Sequence, residues 1–161
     1  MKKILILFLI LSFNNQVFGA GSDSSSDTSE TGLYDQAVKL VKRAGKLEKK
    51  DKKEKAKKLY TQAFKKLENA YTSNKSNPDI LNYMGYTSRK IGNFDQAEKF
   101  YLTGLSIDPN HNGINEYLGE LYVQTNRLDK ANERLKVLKN CNCDEFKELE
   151  LIIKTRGTKV Y

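Results

Sequence analysis

The apolar residues of this chain recur at spacings of three and four from residue 33 to about residue 154, which is the period of an amphipathic α-helix. Polar or turn-forming residues interrupt this pattern six times. The interruptions predict seven helices, at residues 33 to about 50, 56–71, 78–91, 94–107, 113–124, 128–138 and 145–154. No stretch alternates between apolar and polar positions as a strand would, so the sequence predicts an all-α fold.

Part of the pattern repeats itself. Residues 80–101 recur at 114–135 with a fixed offset of 34, which pairs Gly85 with Gly119 and Ala97 with Ala131. A fixed period of about 20 to 50 residues indicates a repeat architecture, in which neighbouring helix hairpins bury a shared core. Repeats of this kind usually form binding surfaces rather than catalytic sites.

Residues 77–110 resemble a tetratricopeptide repeat. Gly85 stands where that family has a small residue between the helices of a hairpin, and Ala97, Tyr101 and Pro109 match later positions. A second copy follows, and a degenerate one precedes. The resemblance implies antiparallel hairpins stacked as a short tetratricopeptide solenoid with a C-terminal capping helix. Its parts are a domain at 33–155 (a degenerate hairpin at 33–73, repeats at 78–111 and 112–143, a cap at 145–155) and a tail at 156–161.

The family resemblance also implies a binding face, because the first helix of each hairpin lines the concave side of such a stack. Docking of an extended peptide or partner helix would then centre on Tyr86, Arg89 and Glu120, unless these helix faces are merely solvated. The outward groove positions implied by the family geometry are Asn82, Tyr86, Arg89, Glu116, Glu120 and Gln124. The resemblance therefore implies a protein or peptide partner of unknown identity.

The N-terminal residues have the pattern of a secretory signal. Lys2 and Lys3 precede an uncharged run at 4–13, and the small residues Gly19 and Ala20 follow. The run is too short to span a bilayer comfortably, so we expect a cleaved signal at 1–20 rather than a membrane anchor. Residues 21–32 are acidic and Ser-rich, which predicts a flexible linker. The chain is thus predicted to be exported by a bacterium, to the periplasm or the medium.

The positive charge is unevenly distributed. The chain has a formal net charge of +8, and residues 39–58 contain eleven Lys or Arg residues against three acids. Such a run could attract nucleic acid, anionic lipid or an acidic partner. Export argues against nucleic acid, and the position of the lysines opposite the apolar face favours a solvated surface over contact with a membrane.

Cys141 and Cys143 are the only cysteines and are separated by one residue. In an oxidising compartment they are expected to form a disulfide that fixes the capping helix. A thiol redox role and a soft-metal pair are the alternatives. Zinc usually requires four ligands, and the single histidine, His111, lies in a distant turn, so we predict no metal site.

No catalytic motif is present in the sequence. It has no phosphate-binding loop, no GxGxxG and no HExxH, and its single histidine leaves little basis for a Ser–His–Asp arrangement. We therefore predict a non-enzymatic interaction module of the cell envelope without cofactors. The alternatives are a thiol redox or soft-metal-handling protein, and an envelope protein that self-associates into homo-oligomers, since a stack of fewer than three repeats buries its terminal faces poorly.

Overall fold

The computed structural model describes residues 28–158, which fold into seven α-helices without a β-strand in that range. The predicted all-α fold is confirmed. The predicted signal at 1–20 and residues 21–27 of the predicted linker lie outside the described residues. The helices are α1 (Glu30–Glu48), α2 (Lys53–Ser73), α3 (Pro78–Ile91), α4 (Phe94–Ile107), α5 (Asn112–Gln124), α6 (Leu128–Leu138) and α7 (Asp144–Lys154).

Helix ends follow local chemistry that the sequence displays. The side chain of Asn77 accepts hydrogen bonds from two backbone N–H groups in the first turn of α3, at Asp79 and Ile80. The same helix ends at Gly92, whose φ of 97° suits a residue without a side chain. Helices α3, α4 and α6 therefore have the predicted bounds, and α5 and α7 begin one residue earlier than predicted.

The predicted linker at 21–32 is wrong for its last three residues, because α1 already begins at Glu30. The side chain of Ser29 accepts a hydrogen bond from the N–H of Gly32 at 3.1 Å, which caps the helix. The acidic Glu30 in the first turn also complements the helix dipole. The serine-rich, acidic segment therefore contains the N-cap of α1. Its low apolar content led to the prediction of a linker there.

The helices pair as three antiparallel hairpins, α1–α2, α3–α4 and α5–α6, and α7 packs against both α5 and α6. Contacts between successive hairpins join α2 to α3 and α4 to α5. The first helices also meet, α1 with α3 and α3 with α5, so they form one side of the stack. This side, closed at one end by α7, is where the candidate site lies.

Close approach of the helices depends on the two repeat glycines. A Cβ atom at Gly85 would overlap the ring of Tyr101, which lies on the other helix of the same hairpin. A Cβ atom at Gly119 would instead overlap the side chain of Leu149, which belongs to α7. Both Tyr101 and Leu149 are fully buried. Equivalent glycines therefore accommodate side chains from different elements.

Candidate functional site

A cavity of about 330 Å³ lies between α1, α3, α5 and α7. Four of the six predicted groove residues line it: Tyr86, Arg89, Glu120 and Gln124. The cavity thus lies on the side formed by the first helices, as the repeat geometry implied. Its other lining residues are Gly45, Glu48, Lys49, Lys90, Tyr117 and Ile152.

The two remaining predicted residues do not face this cavity. Asn82 and Glu116 are only 7% and 2% exposed, so the expectation that they point outward from the groove is corrected. The amide nitrogen of Asn82 lies against the backbone of Gly113, at the start of α5. The side chain of Asn82 is taken up by the packing between α3 and α5, where neighbouring first helices approach closely.

Arg89 and Glu120 form a buried ion pair at the floor of the cavity. Their side chains are 4% and 10% exposed, and Arg89 Nη1 lies 2.6 Å from Glu120 Oε2. Burial is the largest single influence and lowers the pKa of Arg89, but the Glu120 carboxylate together with Tyr101 and Tyr86 raises the pKa above its usual value. Removing one partner of such a pair typically costs about 3–5 kcal/mol, because the other charge stays buried and unpaired. These two residues therefore support the site and are not its exposed contacts.

Two tyrosine rings form a wall above this floor. The rings of Tyr86 and Tyr117 have centroids 4.9 Å apart, and the guanidinium carbon of Arg89 lies 5.5 Å and 5.7 Å from them. A third ring, that of Tyr60, meets Tyr86 edge to face at 5.9 Å. Burial raises the pKa of Tyr117 and of Tyr60, so both phenols stay neutral at physiological pH. The wall offers aromatic faces without a negative charge.

A second ion pair connects α1 to α3 at the rim. Lys90 Nζ lies 2.6 Å from Glu48 Oε2, and the Tyr60 hydroxyl donates to the same carboxylate oxygen at 2.9 Å. Lys90 also lies 5.6 Å and 5.8 Å from the ring centroids of Tyr60 and Tyr86. This network fixes the end of α1 beside the cavity and leaves Lys49 exposed at its edge.

Sequence reasoning missed several lining residues. Tyr117 lies one repeat period after Tyr83, and this recurrence of a tyrosine could have marked it as a candidate lining residue. Glu48 and Lys49 carried no such signal, because they line the cavity only through the angle at which the degenerate first hairpin packs on α3. Ile152 falls on the apolar side of the predicted last helix, but its place in the cavity depends on the packing of α7 on α5.

The side chains that line the cavity are mostly charged or aromatic. They comprise three cations, two carboxylates, two phenols, one amide and one isoleucine, with no Ser, Cys or His. The set lacks the Ser–His or Cys–His pair that nucleophilic acyl transfer uses, and both of its carboxylates are held in ion pairs. Aromatic faces beside paired charges are instead typical of the anchoring pockets that dominate protein interfaces.

Cys141 and Cys143 are joined by a disulfide in the turn between α6 and α7. Neither sulfur is therefore available as a thiolate ligand in this structure. Within residues 28–158, no group of three or more His, Cys, Asp or Glu side chains is arranged to hold a metal ion. Over the same residues, every helix is too short or too polar to cross a membrane.

Comparison with known proteins supports the assignment of the repeats. Residues 78–111 match a model of the tetratricopeptide repeat family. No curated protein matches the sequence. Among solved structures, the chain is similar to a thermophilic TPR protein of Thermus thermophilus, with 22% identity, a TM-score of 0.64, and coverage of 80% of this chain and 64% of that one. The chain therefore spans less than two thirds of the length of that protein.

A second solved structure has similar helix packing. It is the Yersinia enterocolitica type III secretion chaperone SycD in complex with a peptide of the translocator YopD. The identity is 20% and the TM-score 0.53, with 76% of this chain and 90% of SycD covered. At these identities the similarity establishes the fold, a stack of tetratricopeptide hairpins.

Proposed function

We propose that this tetratricopeptide repeat protein is a non-enzymatic protein–protein interaction module, which binds a partner segment in the cavity between α1, α3, α5 and α7. The observation that carries the proposal is the cavity itself, with its wall formed by Tyr86 and Tyr117 above the Arg89–Glu120 pair. Side chains of the partner would anchor on the two rings, and the exposed Lys49 and Gln124 would contact the flanking backbone.

The size of the cavity limits what it accepts. A volume of about 330 Å³ is at the lower end of ligand pockets, so it holds one or two side chains rather than a folded element. The remainder of the segment would lie along the first helices. Because the floor is fixed by a buried ion pair and the rim by the Lys90–Glu48 network, little of the site must be ordered on binding, which favours affinity.

A protein with the same fold supports a peptide ligand. The Yersinia chaperone SycD has been solved with a peptide of YopD bound. We extend to this chain only the class of ligand, a peptide segment, because the identity is 20%. Together with the predicted signal at residues 1–20, this supports a role as an exported module of the cell envelope, in the periplasm or outside the cell.

Site-specific photocross-linking tests the proposal. A photoreactive residue replaces Gln124 at the cavity, and a matched one replaces Leu102, which is 48% exposed on α4 and outside the cavity. We expect the Gln124 variant to capture a partner protein in the source cells, and the Leu102 variant to capture much less of it. Equal capture by both positions would contradict the cavity as the binding site.

A second arm tests the aromatic wall. Tyr117→Ala removes one ring from the wall and leaves both charges of the buried ion pair in place, and we expect it to weaken partner capture at least tenfold, the loss typical of an aromatic anchor. The disulfide variant Cys141→Ser/Cys143→Ser serves as the control and should capture normally. Loss of function in the cysteine variant alone would support the thiol redox alternative. Capture of a second copy of the chain would support self-association.

A further inference from the structure

The positive charge of the protein is concentrated in one hairpin. Residues 39–58, which span the second half of α1, the following turn and the start of α2, contain eleven Lys or Arg residues and three acids, a net charge of +8. This equals the formal net charge of the whole chain. Residues 59–158 contain fourteen cations and thirteen acids and are almost neutral. The molecule is therefore strongly polarised, with its excess charge at the N-terminal end of the stack.

All eleven cations are exposed to solvent. On α1 the cations lie opposite the buried Ala37 and Ala44, three lysines lie in the turn between the two helices, and four lie in the first turns of α2. We call this surface the basic hairpin face. Its members are Lys39, Lys42, Arg43, Lys46, Lys49, Lys50, Lys52, Lys53, Lys55, Lys57 and Lys58.

The basic hairpin face has little internal compensation. Within residues 28–158, the only ion pair that involves one of its members joins Lys53 to Asp51, and both of these side chains are more than 80% exposed. By contrast, Arg89 and Lys90 of the neighbouring hairpin are each paired with a carboxylate. Like charges at this density repel one another, and an external polyanion would relieve that repulsion.

The shape and composition of the face indicate which polyanion fits. On α1 the stripe from Lys39 to Lys46 is about 10 Å long at 1.5 Å per residue, and Lys49 and Lys50 continue it into the turn. None of the large hydrophobic side chains that the structure exposes lies in 39–58, so the face has no wedge for insertion into a bilayer. Ten of its eleven cations are lysines, compact charges that suit a diffuse anionic surface better than a fork-shaped contact.

We propose that the basic hairpin face docks the protein on an anionic lipid membrane, with the lysines of α1 and α2 against the headgroups. Attraction to such a surface is additive over many lysines and needs no pocket. A nucleic acid is the less suitable polyanion, because the face has a single arginine for bidentate contacts and no exposed aromatic ring for base stacking. The basic hairpin face shares one residue, Lys49, with the lining of the cavity, and its other members lie outside the cavity that carries the binding of a partner segment.

The expected effect is large. Each lysine near an anionic bilayer changes the binding constant by about fivefold, so removing four should weaken binding more than about a hundredfold. Binding should also fall steeply between roughly 0.05 M and 0.3 M salt, because exposed charges are screened within a Debye length.

Vesicle co-sedimentation tests the proposal with the protein produced from the full chain, its N-terminus read by mass spectrometry. The vesicles are neutral phosphatidylcholine, alone or with about one third anionic phosphatidylglycerol, which carries the negative surface potential. One variant replaces Lys39, Lys42, Lys46 and Lys50 with Gln. The matched control replaces Lys75, Lys99, Lys136 and Lys139, which are exposed on other parts of the stack. Both variants lose the same charge, and Gln has a helix propensity close to that of Lys.

We expect the native chain and the control to bind the anionic vesicles, and the α1 variant to lose that binding. Equal losses in both variants would overturn the proposal, because net charge rather than the basic hairpin face would then be responsible. So would equal binding to neutral and anionic vesicles, or no binding at low salt. Displacement from the vesicles by DNA at an equal phosphate concentration would overturn it in favour of nucleic acid.

Discussion

The two full copies of the repeat have the same spacing of residues, but the glycine in each copy packs against a side chain from a different helix of the stack. In the first copy, Gly85 meets the ring of Tyr101 within its own hairpin. In the second, Leu135 takes the place of that tyrosine and is only half-buried, and Gly119 meets Leu149 from α7 instead. Because Leu135 on α6 is smaller than a tyrosine, Gly119 on α5 remains accessible to a side chain from a third helix, α7. The pattern thus specifies where a close approach occurs, and side-chain volume decides which element makes it.

The two copies also contribute to the cavity in different ways. Tyr101 is fully buried, and its hydroxyl lies beside the Arg89 guanidinium without a hydrogen bond of good geometry. The first copy therefore joins the core of its hairpin to the floor of the cavity. The second copy lacks such a connection and reaches the cavity through Tyr117 and Glu120 on α5.

The strongest test of the comparison removes the two equivalent side chains. Tyr101→Ala should lower the free energy of unfolding by about 4 kcal/mol, since it empties a fully buried ring site. Leu135→Ala should cost about 1 kcal/mol, because that side chain is half-buried. Urea denaturation followed by circular dichroism at 222 nm measures both. Similar losses for the two variants would contradict the different packing of the copies.

A second test removes the side chain that replaces the ring. Leu149→Ala should lower the free energy of unfolding by about 3 kcal/mol, because it leaves a void over Gly119. Adding Gly119→Ala should restore part of this loss, since the new methyl group occupies the void. A double-mutant cycle from denaturation midpoints gives the coupling. Strict additivity would show that Leu149 and Gly119 do not share this contact.

Alanine at each glycine distinguishes the rigidity of the two contacts. Gly85→Ala should lower the free energy of unfolding by about 2 kcal/mol, because the added methyl group meets a ring that is enclosed on all sides. Gly119→Ala should be close to neutral, because the atoms it meets are the ends of a leucine and alanine gains helix propensity. Differential scanning calorimetry at matched concentrations measures the pair. A larger loss at Gly119 would reverse the comparison.

The smallest effect should come from the connection to α7. Cys141→Ser/Cys143→Ser should lower the free energy of unfolding by about 1 kcal/mol, because the disulfide closes a loop with a single intervening residue and restricts the unfolded chain little. Packing of Leu149 would still hold the helix. Thermal unfolding of the variant, compared with the native chain under non-reducing conditions, provides the measurement. A loss above about 3 kcal/mol would assign the capping to the disulfide rather than to Leu149.

The sequence was sufficient for the helices and the order of the stack. Local signals such as Asn77 and Gly92 act over a few residues and are read directly from the chain, so the bounds of α3, α4 and α6 were predicted. Part of the cavity lining was also predicted, because the repeat register identifies side chains on the inner side of the first helices, among them Tyr86 and Gln124.

Burial at the site could not be predicted from the same signals. Arg89 and Glu120 belong to different repeats, and a polar pattern on a helix does not reveal whether two such groups meet within 2.6 Å and exclude water. Likewise, Glu48 comes from a degenerate hairpin whose angle to α3 depends on packing against Tyr60 and Lys90. Both features depend on distances between hairpins, which the repeat pattern leaves open.

Helix α7 covers the end of the stack with Leu149 and forms one wall of the cavity with Ile152. Repeat proteins commonly grow by duplication of a unit, which changes the length of the array and leaves the other units intact. Here an additional hairpin after α6 would displace α7 from its position against α5 and α6, and Ile152 would no longer line the cavity. The C-terminal end of the stack is therefore tied to the composition of the site, and lengthening the array at that end would require another side chain in the place of Ile152.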